Sequence, residues 1–587
     1  MSVQDLDALE EKKKIFDFSN LTGDFYGGLT AGIVALPLGL AFGAGVFPGD
    51  EQLGATAGLW GAILVGFFAA AFGGTNTQIS GPTGPMVVVF AGLLASLTAA
   101  VGAANPDLID RPAALLAAVI PLLFASVVLG GVLQIVMGVC KFGKYIKLVP
   151  YTVISGFMSG IGVIIILLQT SRLFGGKPAS GEVFDAIAAI GPSIANTNMT
   201  ALILGALTLA IVFFWPKAIA KYLPGTLASL IIGTVVGIFI IDVPTTAGGA
   251  LDYANASAPL LGTIQAGIPD FLIPTFSGDT IMLVLQAGIV LAILGAIDSL
   301  LTSLVADNVT RTRHNSDQEL IGQGIANTIA GFFMALPGAG ATMRTMVNVR
   351  TGGTTKISGM IHGLVLAAIV LVAAPLAAKI PMAVLAGILV KVGFDIIDFK
   401  YIKTLLTGPR WDFTIMAIVL LLTVFWNLIF AVGIGVFMAA LGYVKQIADT
   451  QTEGIANSAP ADATDAEQSI IDASGDKLML YDFGGPLSFG AASDLGHYMR
   501  LRAKQGVEAL VMDFSRMTGI DVSAIRAVET IALDADASGI PLFTVGISDN
   551  VKKMLAALSA DGHLSDERAF DNRLDALEAA AAAIKTG

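Results

Sequence analysis

Asp298 lies in Leu291-Ala-Ile-Leu-Gly-Ala-Ile-Asp-Ser-Leu-Leu-Thr302, far from either end of an apolar run. A carboxylate at that depth in a hydrophobic helix is expensive unless it is paired or hydrated, so it marks a candidate functional position. Thr302, four residues on, falls on the same helical face. An ionised carboxylate beside a hydroxyl and the carbonyls of interrupted helices forms an oxygen-lined cation site, suited to Na⁺. Two other readings remain open. One is a structural aspartate bonded to backbone or to Arg344, and the other is a proton-binding carboxyl.

The second group of residues is Ala335-Leu-Pro-Gly-Ala-Gly-Ala-Thr-Met-Arg344, where a proline, two glycines, a threonine and an arginine interrupt an apolar sequence. Broken backbone in hydrocarbon leaves amide groups without partners, so it survives where protein buries it or where it lines a cavity. A helix beginning near Gly340 points its free N–H groups and positive dipole end into that cavity, which suits an anion. A matching break, Ser80-Gly-Pro-Thr-Gly-Pro85, precedes another apolar run. Thr83 and Thr342 are the hydroxyls closest to the two helix starts. With the backbone N–H groups around Gly84 and Ala341 they either contact a ligand or cap the helices. Arg344 either draws an anion inward or neutralises Asp298. Lys391 either lines a pathway or reaches to the interface.

The elements that must position these residues are membrane spans. Of 587 residues, 55% are hydrophobic and 13% charged, where a soluble protein carries about 25% charge. Apolar runs of about 20 residues fall near 24–44, 55–73, 112–139, 148–171, 200–215, 224–241, 280–303, 318–336, 357–378, 382–397, 411–427 and 428–446. Two shorter segments follow the breaks, to about Val101 and Val349, giving fourteen. Thr83 lies 60 residues after Gly23, and Ala339 lies 60 after Asp279. Both breaks fall third in a group of seven, and paired breaks in two halves point to a transporter's binding site. Seven spans per half make the second half inverted. The expected boundaries are an N-terminal segment 1–20, a membrane domain 21–447 with repeats 21–245 and 276–447, a linker 448–470 and a C-terminal unit 471–587.

Basic residues in short loops set the orientation. Lys141, Lys144, Lys147, Lys217, Lys221, Arg311, Arg313, Arg350, Lys356, Lys400, Lys403 and Arg410 all fall on the side of the N-terminus, while 243–277 has no Lys or Arg. Both termini are therefore expected in the cytoplasm. In the C-terminal unit, strands at 478–483, 508–514 and 541–545 alternate with helices at 491–506, 522–537 and 550–559, a small α/β domain. Residues 450–587 carry 21 Asp and Glu against 11 Lys and Arg, which argues against nucleic acid or anionic lipid as its partner. The single cysteine, Cys140, and four scattered histidines exclude a disulfide framework and a Cys/His zinc cluster. There is no phosphate-cradling Gly-x-x-x-x-Gly-Lys-Ser/Thr, and no enzyme motif is found. Six glycines from Gly27 to Gly45 give the first helix a small-residue face for close packing.

These residues resemble the SulP anion transporter family over nearly the whole chain, including a C-terminal STAS domain. The family's first-helix signature, Pro-Gln-x-Met-Ala-Tyr-Ala, stands here as Pro37-Leu-Gly-Leu-Ala-Phe-Gly43. Leu38 and Phe42 replace its glutamine and tyrosine, which leaves fewer donors for a sulfate-type anion. Asp298-Ser-Leu-Leu-Thr302, Ala306-Asp-Asn-Val-Thr310 and Gly338-Ala-Gly-Ala-Thr-Met-Arg-Thr345 are similar to the cyanobacterial BicA-type branch. That resemblance implies Na⁺-coupled bicarbonate uptake in a bacterial inner membrane. It implies Na⁺ near Asp298, Thr302, Gly340 and Thr342, and an anion held by Thr83, Gly84, Ala341 and Thr342, with Leu38 and Phe42 nearby. It also implies an elevator-like movement of helices 1–4 and 8–11 against helices 5–7 and 12–14, in a homodimer to which the STAS domain contributes. Two alternatives are proton-coupled transport of sulfate, a dicarboxylate or another anion, and an anion-sensing signalling protein. The STAS resemblance rests on Gly485-Pro-Leu-Ser-Phe-Gly490, Leu510-Val-Met-Asp-Phe-Ser-Arg516 and Ile520-Asp-Val-Ser-Ala524. Ser523 occupies the place phosphorylated in STAS domains of sigma-factor antagonist systems, with Ala524 in place of the glycine. A helix-start cap is its other role.

Overall fold

The computed structural model describes residues 17–586 apart from 48–49, 146–148, 177–182, 221–222, 245–254, 265–266, 268, 275–279, 406–409, 427, 454–461, 484–485, 488–500, 502–504, 518, 521, 558–563 and 565. The chain divides into two compact units, Met1–Val436 and Phe437–Gly587.

The first unit is helical. In order come α1 (Leu21–Val46), α2 (Glu51–Phe72), α3 (Gly84–Ala104), α4 (Pro112–Val139), α5 (Tyr151–Leu173), α6 (Val183–Ala195), α7 (Met199–Phe214) and α8 (Gly225–Ile240). Then follow α9 (Ile281–Thr310), α10 (Ser316–Phe332), α11 (Thr342–Arg350), α12 (Lys356–Ala377), α13 (Met382–Ile396), α14 (Arg410–Phe425) and α15 (Leu428–Glu453). Each of the fourteen expected apolar segments has its helix. The sequence reading has no segment over α6, which meets α7 at a bend of 116° where the Asn198 side chain caps α7. Among the described residues six helices are long and apolar enough to cross a membrane by length and composition. The half-helix α11, with nine residues, is far too short to span.

Packing separates these helices into two groups. In one, α1 packs on α2 and α12, α10 on α2 and α4, and α9 on α4. In the other, α5 packs on α13 and α14, and α7 on α8 and α13. The two sets match the two bodies implied by the resemblance. Close approach is built into the first set: a Cβ on Gly43 would lie 2.1 Å from the Gly54 carbonyl oxygen, so α1 and α2 touch backbone to backbone.

The second unit begins inside α15 and includes α16 (Asp465–Ser474). The stretch expected as a linker is thus helical at both of its ends. A parallel sheet has the order β3 (Leu478–Asp482), β5 (Ala509–Asp513), β7 (Leu542–Val545), β8 (Ala569–Phe570). Alternate residues of β5 face opposite sides, as the period of a strand requires. Leu510 and Met512 pack with Val528 and Ile531 of α17 (Val522–Ala537), while Ala509 and Val511 pack with Leu577 and Ala580 of α19 (Arg573–Thr586). Covered on both faces, the strands are mostly apolar, and β3, β5 and β7 fall within the strands expected at 478–483, 508–514 and 541–545. Helix α18 (Asp549–Ala557) matches expectation, whereas α19 was not foreseen. A separate two-stranded pair joins β4 (Pro486–Leu487) to β6 (Gly519–Ile520). Most of the helix expected over 491–506 lies outside the described residues, as does the side chain of Ser523, a residue of the first turn of α17.

Candidate functional site

The two breaks meet. β1 (Ser80–Gly81) pairs antiparallel with β2 (Ala339–Gly340), Ser80 opposite Gly340 and Gly81 opposite Ala339. This two-residue ladder holds the start of α3 at Gly84 beside the start of α11 at Thr342. Gly81 has φ +149°, and a Cβ there would lie 2.7 Å from Arg344 Nη1, so only glycine fits.

The backbone before each helix start is irregular, and its polar groups find partners in the surrounding helices, as burial demands. Glu319 of α10 accepts from the Gly74 and Thr75 amides through Oε2, and from Gln78 and Gln323 through Oε1. Gln323 also donates to Ser80 Oγ at 2.6 Å. Asn327 grips Gly338 from both sides, accepting its N–H at 2.8 Å and donating to its carbonyl at 3.0 Å. Thr345 Oγ1 accepts the Ile79 amide, and Ile79 O accepts the Ala341 amide. Glu319, Gln323 and Asn327 were not singled out in the sequence. Their spacing of four residues along one apolar helix is the signal that marks them.

Of the residues expected to hold a cation, three come together. Thr302 Oγ1 lies 3.0 Å from the Gly340 carbonyl oxygen and 2.8 Å from Thr342 Oγ1. Ser299 Oγ accepts the Gly340 amide at 3.0 Å and is a further member that sequence reasoning missed. Asp298, one residue before Ser299, is buried and reaches the other half-helix, where Thr83 Oγ1 donates to its Oδ2 at 2.7 Å. Thr83 sits at the N-cap position of α3, but its hydroxyl is committed to Asp298 and does not cap. Arg344, also buried, donates from Nη2 to the Pro82 carbonyl at 2.7 Å. Opposite charges therefore hold the consecutive residues Pro82 and Thr83, in place of the direct Asp298–Arg344 pair that was one sequence alternative. Ala341 and Thr342 are half-buried, and Gly84 is buried. Leu38, half-buried, and Phe42, buried, lie on α1, which packs against both α3 and α11. Lys391 pairs with Asp395 and lies over the Phe213 ring, apart from these residues.

Asp298 also borders a narrow slot with Ile154, Phe157, Leu294 and Leu301. Ile154 and Leu301 are shared with a wider cleft that reaches Gly143, His314 and Ser316, toward the loops rich in lysine and arginine. The arrangement offers oxygen ligands for a hard cation and two helix N-termini for an anion within one junction.

The description "Sulfate permease family" matches residues 21–419, and "STAS domain" matches residues 471–576. The chain belongs to the sulfate permease family. It is 40% identical over 571 residues to the bicarbonate transporter BicA of Synechocystis sp., covering 97% of this chain and 95% of that protein. Among solved structures, the transmembrane domain of a cyanobacterial bicarbonate transporter BicA is 44% identical and superposes with a TM-score of 0.62, covering 71% of this chain and 98% of that one. The overall structure of SLC26A9, at 19% identity, gives a TM-score of 0.74 over 97% of this chain and 91% of that one. The fold is that of this transporter family, with a helical membrane domain and a C-terminal STAS domain. Members of the family are transporters and not enzymes.

Proposed function

We propose that this protein is a secondary active transporter that carries bicarbonate into the cell, coupled to Na⁺. The observation that carries the reading is the junction of the two half-helices. There the Thr302 hydroxyl, the Gly340 carbonyl and the Thr342 hydroxyl lie within bonding distance of one another. A buried carboxylate, Asp298, is hydrogen-bonded to Thr83 at the start of α3. In this reading Na⁺ takes ligands from Asp298, Thr302, Gly340 and Thr342. The anion lies between Thr83, Gly84, Ala341 and Thr342, facing Leu38 and Phe42. Cation charge beside the helix starts offsets the anion's, so each ion favours the other's binding. Replacement of the family's glutamine and tyrosine by Leu38 and Phe42 suits a small anion with few hydrogen bonds to satisfy. The name of the relative from Synechocystis supports the same cargo.

Fourteen spans arranged as two inverted repeats of seven, with both termini in the cytoplasm of a bacterial inner membrane, fit the basic loops and the antiparallel pairing of β1 with β2. Movement of the α1–α4 and α9–α12 body against the remaining helices would carry the junction across the membrane. The cleft beside Asp298 then corresponds to access from the cytoplasm. A homodimer with the STAS domain contributing completes the reading. Ser523 is retained as a candidate modification site, to be tested by phosphoproteomics.

The deciding experiment is uptake of radiolabelled bicarbonate by the purified protein in liposomes, with and without a Na⁺ gradient. Uptake indifferent to Na⁺ removes the coupling. Preference for sulfate or a dicarboxylate under a proton gradient replaces the cargo, and ligand binding without flux favours a sensor.

A further inference from the structure

Three helix faces lead away from the start of α3, toward the end of the bundle opposite the slot beside Asp298. A Cβ on Gly84 would lie 2.8 Å from Ile396 Cδ1 and 3.0 Å from Ile165 Cδ1, so α13 and α5 close an aliphatic cover over this helix start. Four and seven residues beyond Ile165, on the same face of α5, come Gln169 and Arg172. Seven residues before Ile396 on α13 comes Leu389. These three side chains converge on Gly45 in the last turn of α1. A Cβ there would lie 3.4 Å from Gln169 Nε2, 3.7 Å from Leu389 Cδ1 and 3.9 Å from Arg172 Nη1. Gly45 follows Phe42 by three residues and Leu38 by seven, again along one face. Seven helical residues span about 10 Å, so this cluster lies roughly that far from the anion position.

Arg172 is only 4% exposed, and its Nη2 has no hydrogen-bond partner among the described residues. The side-chain carbonyl oxygen of Gln169 is likewise buried and without a partner among the described residues. Glu51 Oε1 lies 4.0 Å from Arg172 Nη2, beyond hydrogen-bond reach. A buried guanidinium with unused N–H groups is costly until something accepts from them. Its planar fork matches two oxygens on one centre. The Gln169 carbonyl beside it can accept from a hydroxyl. Bicarbonate has both features, a two-oxygen anionic edge and one O–H.

We propose that Arg172 and Gln169 form an outer station for bicarbonate, occupied before the anion passes the Ile165–Ile396 cover to reach the half-helix junction. This rests on the bicarbonate transport reading and on the orientation that places the end of α5 outside. Glu51 competes with the anion for Arg172 and tunes the station's affinity.

The test uses the full chain in phosphatidylcholine vesicles, with external bicarbonate titrated at saturating Na⁺. Arg172→Gln raises the external KM roughly tenfold and leaves the maximal rate within about twofold. Gln169→Leu raises KM less. Glu51→Gln lowers KM, because the competing carboxylate is gone. If Arg172 serves only to tie α5 to α2 through Glu51, Arg172→Gln and Glu51→Gln both lower the melting temperature and KM stays unchanged, which overturns the station. An Arg172 effect that appears only when phosphatidylglycerol is added assigns the site to a lipid phosphate and also overturns it. Wild-type flux with KM indifferent to Arg172→Gln and Glu51→Gln removes the station alone. Absence of bicarbonate flux in the wild type removes the station together with the transport reading.

Discussion

Thr83 donates its hydroxyl hydrogen to Asp298 Oδ2 across 2.7 Å, tying the residue that opens α3 to the carboxylate in the middle of α9. The bond links the element assigned to the anion with the group assigned to the cation. In the proposed reading a cation arriving at Asp298 would draw on the lone pairs that Thr83 uses, and the orientation of the Thr83 hydroxyl would then depend on whether Na⁺ is bound.

Thr83→Val removes this link and leaves the carboxylate. Calorimetric titration of Na⁺ in the presence and absence of bicarbonate should then give a ratio of affinities close to one, where the wild type gives several-fold or more. Linkage requires the same ratio when bicarbonate is titrated with and without Na⁺. Asp298→Asn should abolish the Na⁺ dependence outright. A Thr83→Val protein with the wild-type ratio would show that the hydrogen bond is structural only.

Thr302 contributes a hydroxyl within reach of both the Gly340 carbonyl and Thr342. Thr302→Val keeps the shape and removes an oxygen ligand, and should raise the Na⁺ concentration needed for half-maximal uptake by roughly tenfold or more, in line with the loss of an interaction with a charge. Thr302→Ser, which keeps the oxygen, should stay within about threefold of wild type. Equal behaviour of the two variants in a Na⁺ titration of uptake would remove Thr302 from the ligand set.

Asn327 is buried and bonded to both backbone groups of Gly338. Asn327→Leu leaves the N–H and the carbonyl of Gly338 without partners at the approach to β2 and removes a donor from Gln134, a loss of about 2–6 kcal/mol at 1–3 kcal/mol for each of the two backbone groups. The full-length protein in detergent should melt several degrees lower, and uptake should fall. Because Asn327 touches neither ion in the proposed site, the KM for Na⁺ of whatever protein remains folded should stay close to wild type. A selective loss of Na⁺ affinity at unchanged melting temperature would instead make Asn327 part of the cation site.

The residues of the candidate site are legible because hydrocarbon makes its demands visible. Proline and glycine at Ser80–Pro85 and Leu336–Gly340, and a lone carboxylate at Asp298, are costly in a membrane unless a site explains them. Their pairing was not legible. Which hydroxyl meets Asp298 depends on the β1–β2 register, a long-range contact that local pattern does not encode, and so Thr83 was read as a ligand or a cap and not as the carboxylate's partner. Glu319, Gln323 and Asn327 share one face of α10 by their spacing, but what that face supports is the broken backbone, a long-range contact that local pattern does not encode. In the STAS domain the three main strands are legible as short apolar runs between turns, whereas β8, two residues long, has no period to show and the alanine-rich α19 has no distinct apolar face. The segment around Asp462 read as a linker by composition, yet its side chain reaches α19 through Arg573.

That contact has a pH signature. The hydrogen bond from Arg573, helped by the charges of Arg573 and Arg516, holds the Asp462 carboxyl below its ordinary value of 3.8. A depressed carboxyl stabilises the folded state above its unfolded value, and that contribution is lost as pH falls through the folded value. Asp462→Asn should therefore destabilise the STAS domain by a constant amount from pH 7 to about pH 5. The difference should shrink below pH 4 and vanish in stronger acid. With half of its side chain exposed, the contribution is screened to a few tenths of a kcal/mol, in the range of about 0.2–1 for exposed pairs. Asp482, pushed up by burial, gives the opposite slope in both proteins and largely drops out of the comparison. Amide-exchange protection of β5 in the full-length protein, measured for both proteins across this range, reads the difference. A gap that widens toward acid would mean that Asp462 does not engage Arg573 as a carboxylate.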